Sequence, residues 1–282
     1  MSHPEAMPDF TKEQLVAEKA ARRAGTALLR MVGRIRHIRK KGPIDLVTEA
    51  DLRAERIILD AIQNAFPGDN ILSEEAGARN SPTAARTWII DPLDGTTNFA
   101  HGFPFFAVSI ALQLEREAVL GVVYIPSSRE LFEASRGRGA FLNKRPIRVS
   151  TIARIGDALL GTGFPYCIHE QAQRIMPLFG RMIVTAQGVR RPGAASIDLS
   201  YVAAGRLDGF WEEGLKPWDT AAGVVLVEEA GGVLSTFEGT PYSPYDHTIV
   251  AANPGVHAGM LKILREPEKP VISNQEEVIS NQ

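Results

Sequence analysis

The chain has 282 residues, 44% hydrophobic and 23% charged, with a formal net charge of −2 at pH 7. That length builds one large or two intimately packed domains around a substantial core, and the near-neutral charge argues against a dedicated nucleic-acid binder, which carries a basic excess. The single cysteine, Cys167, excludes an intrachain disulfide and reads as a small core residue; no apolar run approaches a membrane span, and the N-terminus, with Glu5 and Asp9, lacks a secretion-signal core, so a cytoplasmic protein is expected.

Residues 11 to 33 predict a helix: Leu15, Val16, Lys19, Ala20, Ala24, Ala27, Leu28 and Met31 recur near helical spacing, and Thr11 with Gln14 offers a capping box. The basic run Arg34 to Lys41 reads as a solvated face or as an attractor for a phosphorylated substrate. In DLVTEAD, Asp45 to Asp51, Thr48 and Asp51 have capping-box spacing for a helix to about Phe66, with Ile57, Ile58, Ala61, Ile62 and Phe66 on its apolar side. Ile71-Leu72 predicts a short strand running into Ser73, Glu74 and Glu75, either a pair of surface glutamates or a source of oxygen ligands. Residues 78 to 86 read as a loop.

The stretch WIIDPLDGTTNF, Trp88 to Phe99, carries the chemistry. Its apolar start predicts a buried strand, and Asp-Pro and Asp-Gly should break it, gathering Asp91 and Asp94 at its end. The same pairs also occur in ordinary turns. Oxygen-only ligands suit magnesium, which keeps waters and takes one or two carboxylates plus a substrate phosphate. If a helix begins at Gly95-Thr96-Thr97, its free N–H groups face an anion. Metal on one side and phosphate on the other describe a phosphoryl-transfer site.

Beyond the motif, Val108 to Leu114 and Val119 to Ile125 predict a hairpin, with further strands at Leu131 to Ala134 and Arg148 to Ser150. The Gly137-Arg138-Gly139 turn lacks the later glycine of a dinucleotide fingerprint, and there is no P-loop string. The second half alternates: strands at 158–161, 186–190, 207–212, 233–236 and 248–251, and helices at 169–183, 195–204, 219–230 and 254–264. Such alternation predicts helices layered on sheets. In WDTAAG, Trp218 to Gly223, Asp219 reads as a helix cap or as a third carboxylate aimed at the same cavity. After Glu266 the chain is polar, repeats VISNQ, and is expected to be mobile.

Taken together, DLVTEAD, SEEAG, WIIDPLDGTTNF, RRPGAAS, FWEEG and WDTAAG resemble, in order and over nearly all of residues 11 to 265, the inositol monophosphatase family of magnesium-dependent, lithium-sensitive phosphatases. The resemblance implies an α/β (α+β) fold, a layered α-β-α-β-α sandwich, usually dimeric. It implies a single catalytic domain over residues 1–265, with an α+β half to about 150 and an α/β half from about 151, followed by the 266–282 tail.

It also implies site roles. Glu74, Asp91 and the Leu93 carbonyl would hold a first magnesium with Thr96; Asp91, Asp94 and Asp219 would hold a second. Asp51, Thr96 and Glu74 form the implied catalytic set, with Asp51 and Thr96 activating a water for direct attack on phosphorus. Gly95 and Thr96 would meet the phosphate, and Gly193, Ala195 and Glu212 the sugar-alcohol ring. Lys40 matches a position where a third, weaker ion can sit, and Arg190 one near a subunit interface. Ser73 and Ala194 depart from the family pattern; the second removes a hydroxyl near the ring.

The leading expectation is hydrolysis of myo-inositol 1-phosphate and related sugar-alcohol phosphates, with lithium as an inhibitor. Alternatives keep the chemistry on fructose 1,6-bisphosphate, a 3'-phosphonucleotide or histidinol phosphate. A reading of another class is regulatory binding of RNA or RNA polymerase, through the basic Arg34 to Lys41 segment and Arg190-Arg191.

Overall fold

The computed structural model describes residues 9–34, 38–40, 46–79 and 84–265, excluding the side chains of 38–40. Two helices open the fold, α1 (Thr11–Met31) and α2 (Glu49–Ala65), with a short antiparallel ribbon between them formed by β1 (Ile38–Lys40) and β2 (Leu46–Thr48). The α2 capping box is present: Asp51 Oδ2 accepts the Thr48 N–H at 2.8 Å, and Thr48 Oγ1 accepts the Ala50 N–H at 3.1 Å. At α1 the expected Thr11–Gln14 box does not form. Asp9 Oδ1 instead accepts the Thr11 N–H at 3.1 Å and its hydroxyl at 2.5 Å, a shorter path to the same orphan donors.

An eight-stranded sheet follows, in the order β10-β9-β8-β7-β6-β5-β3-β4. Its strands are β3 (Asn70–Ser73), β4 (Gly77–Arg79), β5 (Arg86–Asp94), β6 (Ala107–Leu114), β7 (Glu117–Ile125), β8 (Glu130–Ser135), β9 (Ala140–Leu142) and β10 (Arg145–Ile147). Only β3 and β5 pair in parallel among these neighbours. Two expectations shift. The loop expected over 78–86 overlaps the end of β4, whose three exposed residues carry no apolar alternation, and the first residue of β5, and the strand expected at 148–150 lies at 145–147.

The second sheet has the order β12-β11-β13-β15-β14: β11 (Leu159–Thr162), β12 (Gly188–Arg190), β13 (Gly209–Glu213), β14 (Val233–Ser235) and β15 (Thr248–Ala252). Around it lie α4 (Ile168–Thr185), α5 (Ala195–Ala203), α6 (Pro217–Glu229) and α7 (Pro254–Arg265). Cys167 is partly exposed ahead of α4 and is not a core residue.

The two-residue period of the strands assigns the faces. Along β5, Trp88 and Ile90 pack with Ala20, Ala24, Ala54 and Ile58 of α1 and α2, while Ile89 packs on the other face with Ile197, Leu199, Ala222 and Leu226 of α5 and α6. Along the second sheet, Phe210, Ile249 and Ala251 turn toward the same middle helices, and Trp211, Val250 and Ala252 toward Met182 of α4 and Met260 of α7. The result is a layered α-β-α-β-α sandwich. Helices α5 and α6 are apolar around most of their circumference because they are covered on two faces. Among the described residues no helix is long and apolar enough to cross a membrane. The tail beyond 265 and its repeated VISNQ lie outside the described residues.

Close approach of α6 to β7 depends on a missing side chain. A Cβ on Gly121 would stand 2.3 Å from the Ala222 carbonyl oxygen, a backbone atom that cannot swing aside. Gly121→Ala is therefore expected to destabilise the fold by about 1–3 kcal/mol or more, as overpacking does. Chemical denaturation against the wild type measures it, and an unchanged midpoint would contradict the packing described.

Candidate active site

Strand β5 runs through Pro92 and ends at Asp94, so Asp91 and Asp94 both lie in its last four residues. Its pairing with β6 shifts register between Asp91 and Asp94, so Pro92 sits at an irregularity where a missing N–H is tolerated. Gly95 then takes φ 86°, and a Cβ there would lie 2.8 Å from the Phe105 carbonyl oxygen. Only glycine fits this turn. A short helix, α3 (Thr96–Ala100), follows.

The turn opens onto a cavity of about 550 Å³. Glu74, Asp91, Leu93, Asp94, Gly95, Thr96, Gly193, Ala195, Glu212 and Asp219 all line it. Ten positions named from the sequence thus meet, although they come from five separate stretches of chain. Strand period explains part of this: Asp91 shares a face with Ile89, and Glu212 with Phe210, so both turn toward the middle layer.

The remaining three named residues stand elsewhere. Asp51 is fully buried behind the cavity wall, and its Oδ1 accepts the Thr96 hydroxyl at 3.0 Å. That hydroxyl also lies 2.9 Å from the Leu93 carbonyl oxygen, so one proton faces two acceptors. Lys40 ends β1, and its side chain is outside the described residues. Arg190 is exposed on β12 and does not line the cavity.

Each carboxylate is held by a nearby donor. Asp91 Oδ1 accepts the Leu93 N–H at 2.9 Å, and Asp219 Oδ2 accepts the Lys216 N–H at 2.6 Å, closing the first turn of α6 from its third residue. Asp94 Oδ2 accepts the Ser196 N–H at 2.8 Å and the Ser196 hydroxyl at 2.5 Å. The SEEAG segment is pinned by buried Glu55, which accepts the Ala76 N–H at 2.8 Å and the Ser73 hydroxyl, so Ser73 serves the turn. The Glu74 N–H donates to the Ile90 carbonyl at 3.2 Å.

Burial drives the electrostatics. Loss of solvent, reinforced by Glu74, Asp94 and Asp219, pushes Asp91 well above the carboxylate range. Asp94 is pushed up to about 6 by burial, against the pull of its Ser196 hydrogen bonds. Asp219 rises well above its ordinary value through burial and the neighbouring Asp94, although its surface is not fully closed to solvent. Glu212 rises well above its own through burial and Asp219, with Arg191 opposing. Asp51 is raised by burial despite its bonds to Thr48 and Thr96.

A cluster of carboxyls that raise one another is a site short of positive charge. Among the described residues, no three His, Cys, Asp or Glu side chains already form a closed metal cage. Magnesium does not need one, since it keeps waters and accepts a substrate phosphate as ligand. Carboxylates, the Leu93 carbonyl and the Thr96 hydroxyl make an all-oxygen set that fits it.

Three contributors lie inside the quoted motifs, but the sequence assigns none of them a role in the cavity. Ser196 reaches Asp94 across 102 positions. Asn98 Nδ2 donates to the Phe105 carbonyl at 2.8 Å and the Pro192 carbonyl at 2.9 Å, tying the motif to the segment that carries Gly193. Arg191, not Arg190, lines the cavity, with its guanidinium 5.6 Å from the Phe164 ring centre. A neighbouring basic pair gives no means of telling which arginine turns inward. Ala194 is buried beside Gly95, so its missing hydroxyl leaves an apolar wall there.

A sequence profile described as the inositol monophosphatase family matches residues 11–268. The inositol-1-monophosphatase of Mesorhizobium japonicum is 42% identical over 89% of this chain and 96% of its own length. The Nus factor SuhB of Salmonella typhimurium is also 42% identical, over 89% of this chain and 95% of its own. The crystal structure of extragenic suppressor protein suhB from Bartonella henselae superposes with a TM-score of 0.88 at 40% identity, covering 92% of this chain and 100% of that one. These matches and the shared layered fold agree with the acidic cavity: the chain belongs to the inositol monophosphatase family, whose members are phosphoric monoester hydrolases generally dependent on magnesium.

Proposed function

We propose that this chain is a magnesium-dependent phosphomonoesterase of the cytoplasm, acting on myo-inositol 1-phosphate and related sugar-alcohol phosphates through one catalytic domain over residues 1–265. The observation that carries the reading is the convergence of Glu74, Asp91, Asp94 and Asp219 in one cavity beside Thr96. The name and 42% identity of the Mesorhizobium relative support the substrate class.

Glu74, Asp91, the Leu93 carbonyl and Thr96 would hold one cation, and Asp91, Asp94 and Asp219 a second. When bound, magnesium supplies a lowered pKa for water, neutralisation of phosphoryl charge and a clamp on the attacking and leaving oxygens. Asp51 Oδ1 receives the Thr96 hydroxyl proton, which orients the threonine oxygen toward the attacking water. Burial raises Asp51 and makes it a stronger proton acceptor than an exposed carboxylate. Gly95 shapes the turn against which the phosphate rests. Gly193, Ala195 and Glu212 line the part of the cavity that takes the sugar-alcohol ring. Glu212 packs directly against Gly163, where any Cβ would overlap its carboxylate. Lithium is expected to inhibit by competing for this site.

A second role in transcription is supported by the Salmonella relative, a Nus factor. Exposed Arg190 is the residue to test, because changing Arg191 would also damage the cavity. Arg190→Glu is expected to reduce co-purification of RNA polymerase from cells while leaving phosphatase turnover unchanged; equal recovery would contradict that contact. A homodimer, which the family resemblance implies, is supported by apolar residues exposed on α4, Met176, Ile183 and Val184.

Two outcomes test catalysis. Asp94→Asn is expected to lower turnover by about 100- to 1,000-fold, the range for loss of a preorganised electrostatic group. A folded variant with full turnover would sink the site assignment. The second outcome concerns pH. Because burial raises Asp91, Asp94 and Asp219, the folded chain holds protons that the unfolded chain releases. Without a cation, stability should therefore fall as pH climbs from the ordinary carboxylate range through about 6 and beyond. Magnesium at 100 times its dissociation constant should restore about 2.7 kcal/mol, or several degrees of Tm at pH 8. A Tm indifferent to magnesium at that pH would count against the metal reading.

A further inference from the structure

Helix α5 begins without a cap of its own. Its N-cap residue is Ala194, which has no side-chain acceptor. The acceptor comes from the end of β5 instead: Asp94 Oδ2 takes the Ser196 N–H at 2.8 Å. The Ser196 hydroxyl then adds a second bond to the same oxygen at 2.5 Å.

Serine in a helix ordinarily turns back to a carbonyl of its own helix. Ser200 does so, donating to the Ser196 carbonyl at 2.7 Å. Ser196 does not. Both serines are fully buried, so no solvent competes for either hydroxyl. An ionised carboxylate only accepts, so the Ser196 hydroxyl proton is committed to Asp94. Hydrogen bonds to an ionised group are roughly twice as strong as neutral ones. Two such bonds on one oxygen stop the carboxylate from rotating about its own axis.

We propose that Ser196 is a positioning residue: its hydroxyl fixes the orientation of the Asp94 carboxylate and thereby sets how tightly the cavity takes a divalent cation. The proposal rests on the metal reading of the cavity given above. Nothing in the local sequence of α5 announces the role, because the group it serves lies 102 positions away. The backbone N–H of residue 196 remains in any substitution other than proline. The hydroxyl can therefore be removed while the helix keeps its cap.

The test is calorimetric titration of magnesium into the full chain without substrate, at pH 8. Ser196→Ala is expected to bind magnesium about tenfold more weakly, the effect of losing one hydrogen bond to a charged group. Ser200→Ala removes an equally buried hydroxyl from the same helix and should bind as the wild type does. Circular dichroism in chelator checks that both variants are folded. Should Ser196→Ala not fold, Ser196→Cys keeps the volume with a weaker donor and should show a smaller loss in the same direction. Wild-type affinity in a folded Ser196 variant would overturn the proposal. So would equal losses in the Ser196 and Ser200 variants, which would mark a packing effect. A wild-type chain that takes up no magnesium would instead remove the metal reading itself, and the two failures are distinguishable.

Discussion

Glu74, Asp91, Asp94 and Asp219 share one cavity, and the rest of the molecule is arranged around their mutual repulsion. Like charges withdrawn from water cost several kcal/mol, a large part of the 5–15 kcal/mol by which a typical protein is stable. A fold tolerates this only if each carboxylate has donors and if a cation can enter. Both conditions shape what surrounds the site. Each aspartate is anchored by an N–H group close to a strand end or a helix start: Leu93 for Asp91, Ser196 for Asp94, Lys216 for Asp219. Helix starts carry partial positive charge, so α5 and α6 favour the anions placed there.

The layered architecture supplies those starts. The large sheet ends its β5 strand at Asp94, the small sheet ends β13 at Glu213, and α5 and α6 lie between the two. Their N-terminal ends meet where the strands finish. Close packing of β7 on α6 at Gly121 against Ala222, and of α6 on α5 at Gly223 against Leu199, brings groups far apart in sequence near enough to bond. Asn98 adds a direct tie, since its amide spans the motif turn and the Pro192 segment. The site is therefore a property of the junction. A displacement of either half would separate Asp94 from Ser196 and leave the carboxylate without its anchor.

Much of this was legible in the sequence because it repeats locally. The two-residue period in Trp88, Ile89 and Ile90 and the helical period in Ile58 and Ile62 report which faces are covered, whatever covers them. The acidic positions were legible because each sits in a short motif with turn residues. What stayed hidden depends on partners distant in the chain or on weak local preference. Strand β4 buries nothing, so it has no pattern to show. The α1 cap went to Asp9 because two residues compete for the same donors within one turn. Pro92 looked like a strand breaker until the register shift with β6 gave it a place. The cavity roles of Ser196 and Arg191 were hidden for the same reason: a serine or an arginine acquires such a role only when the other half of the molecule faces it.

The most direct test of the central claim is phosphate release from myo-inositol 1-phosphate, with and without magnesium, beside fructose 1,6-bisphosphate and a 3'-phosphonucleotide. The account predicts turnover that requires magnesium and strongly favours the inositol ester. Magnesium-dependent turnover of another ester would keep the cavity chemistry and contradict the substrate. No turnover of any of them by the folded protein would contradict the catalytic reading as a whole.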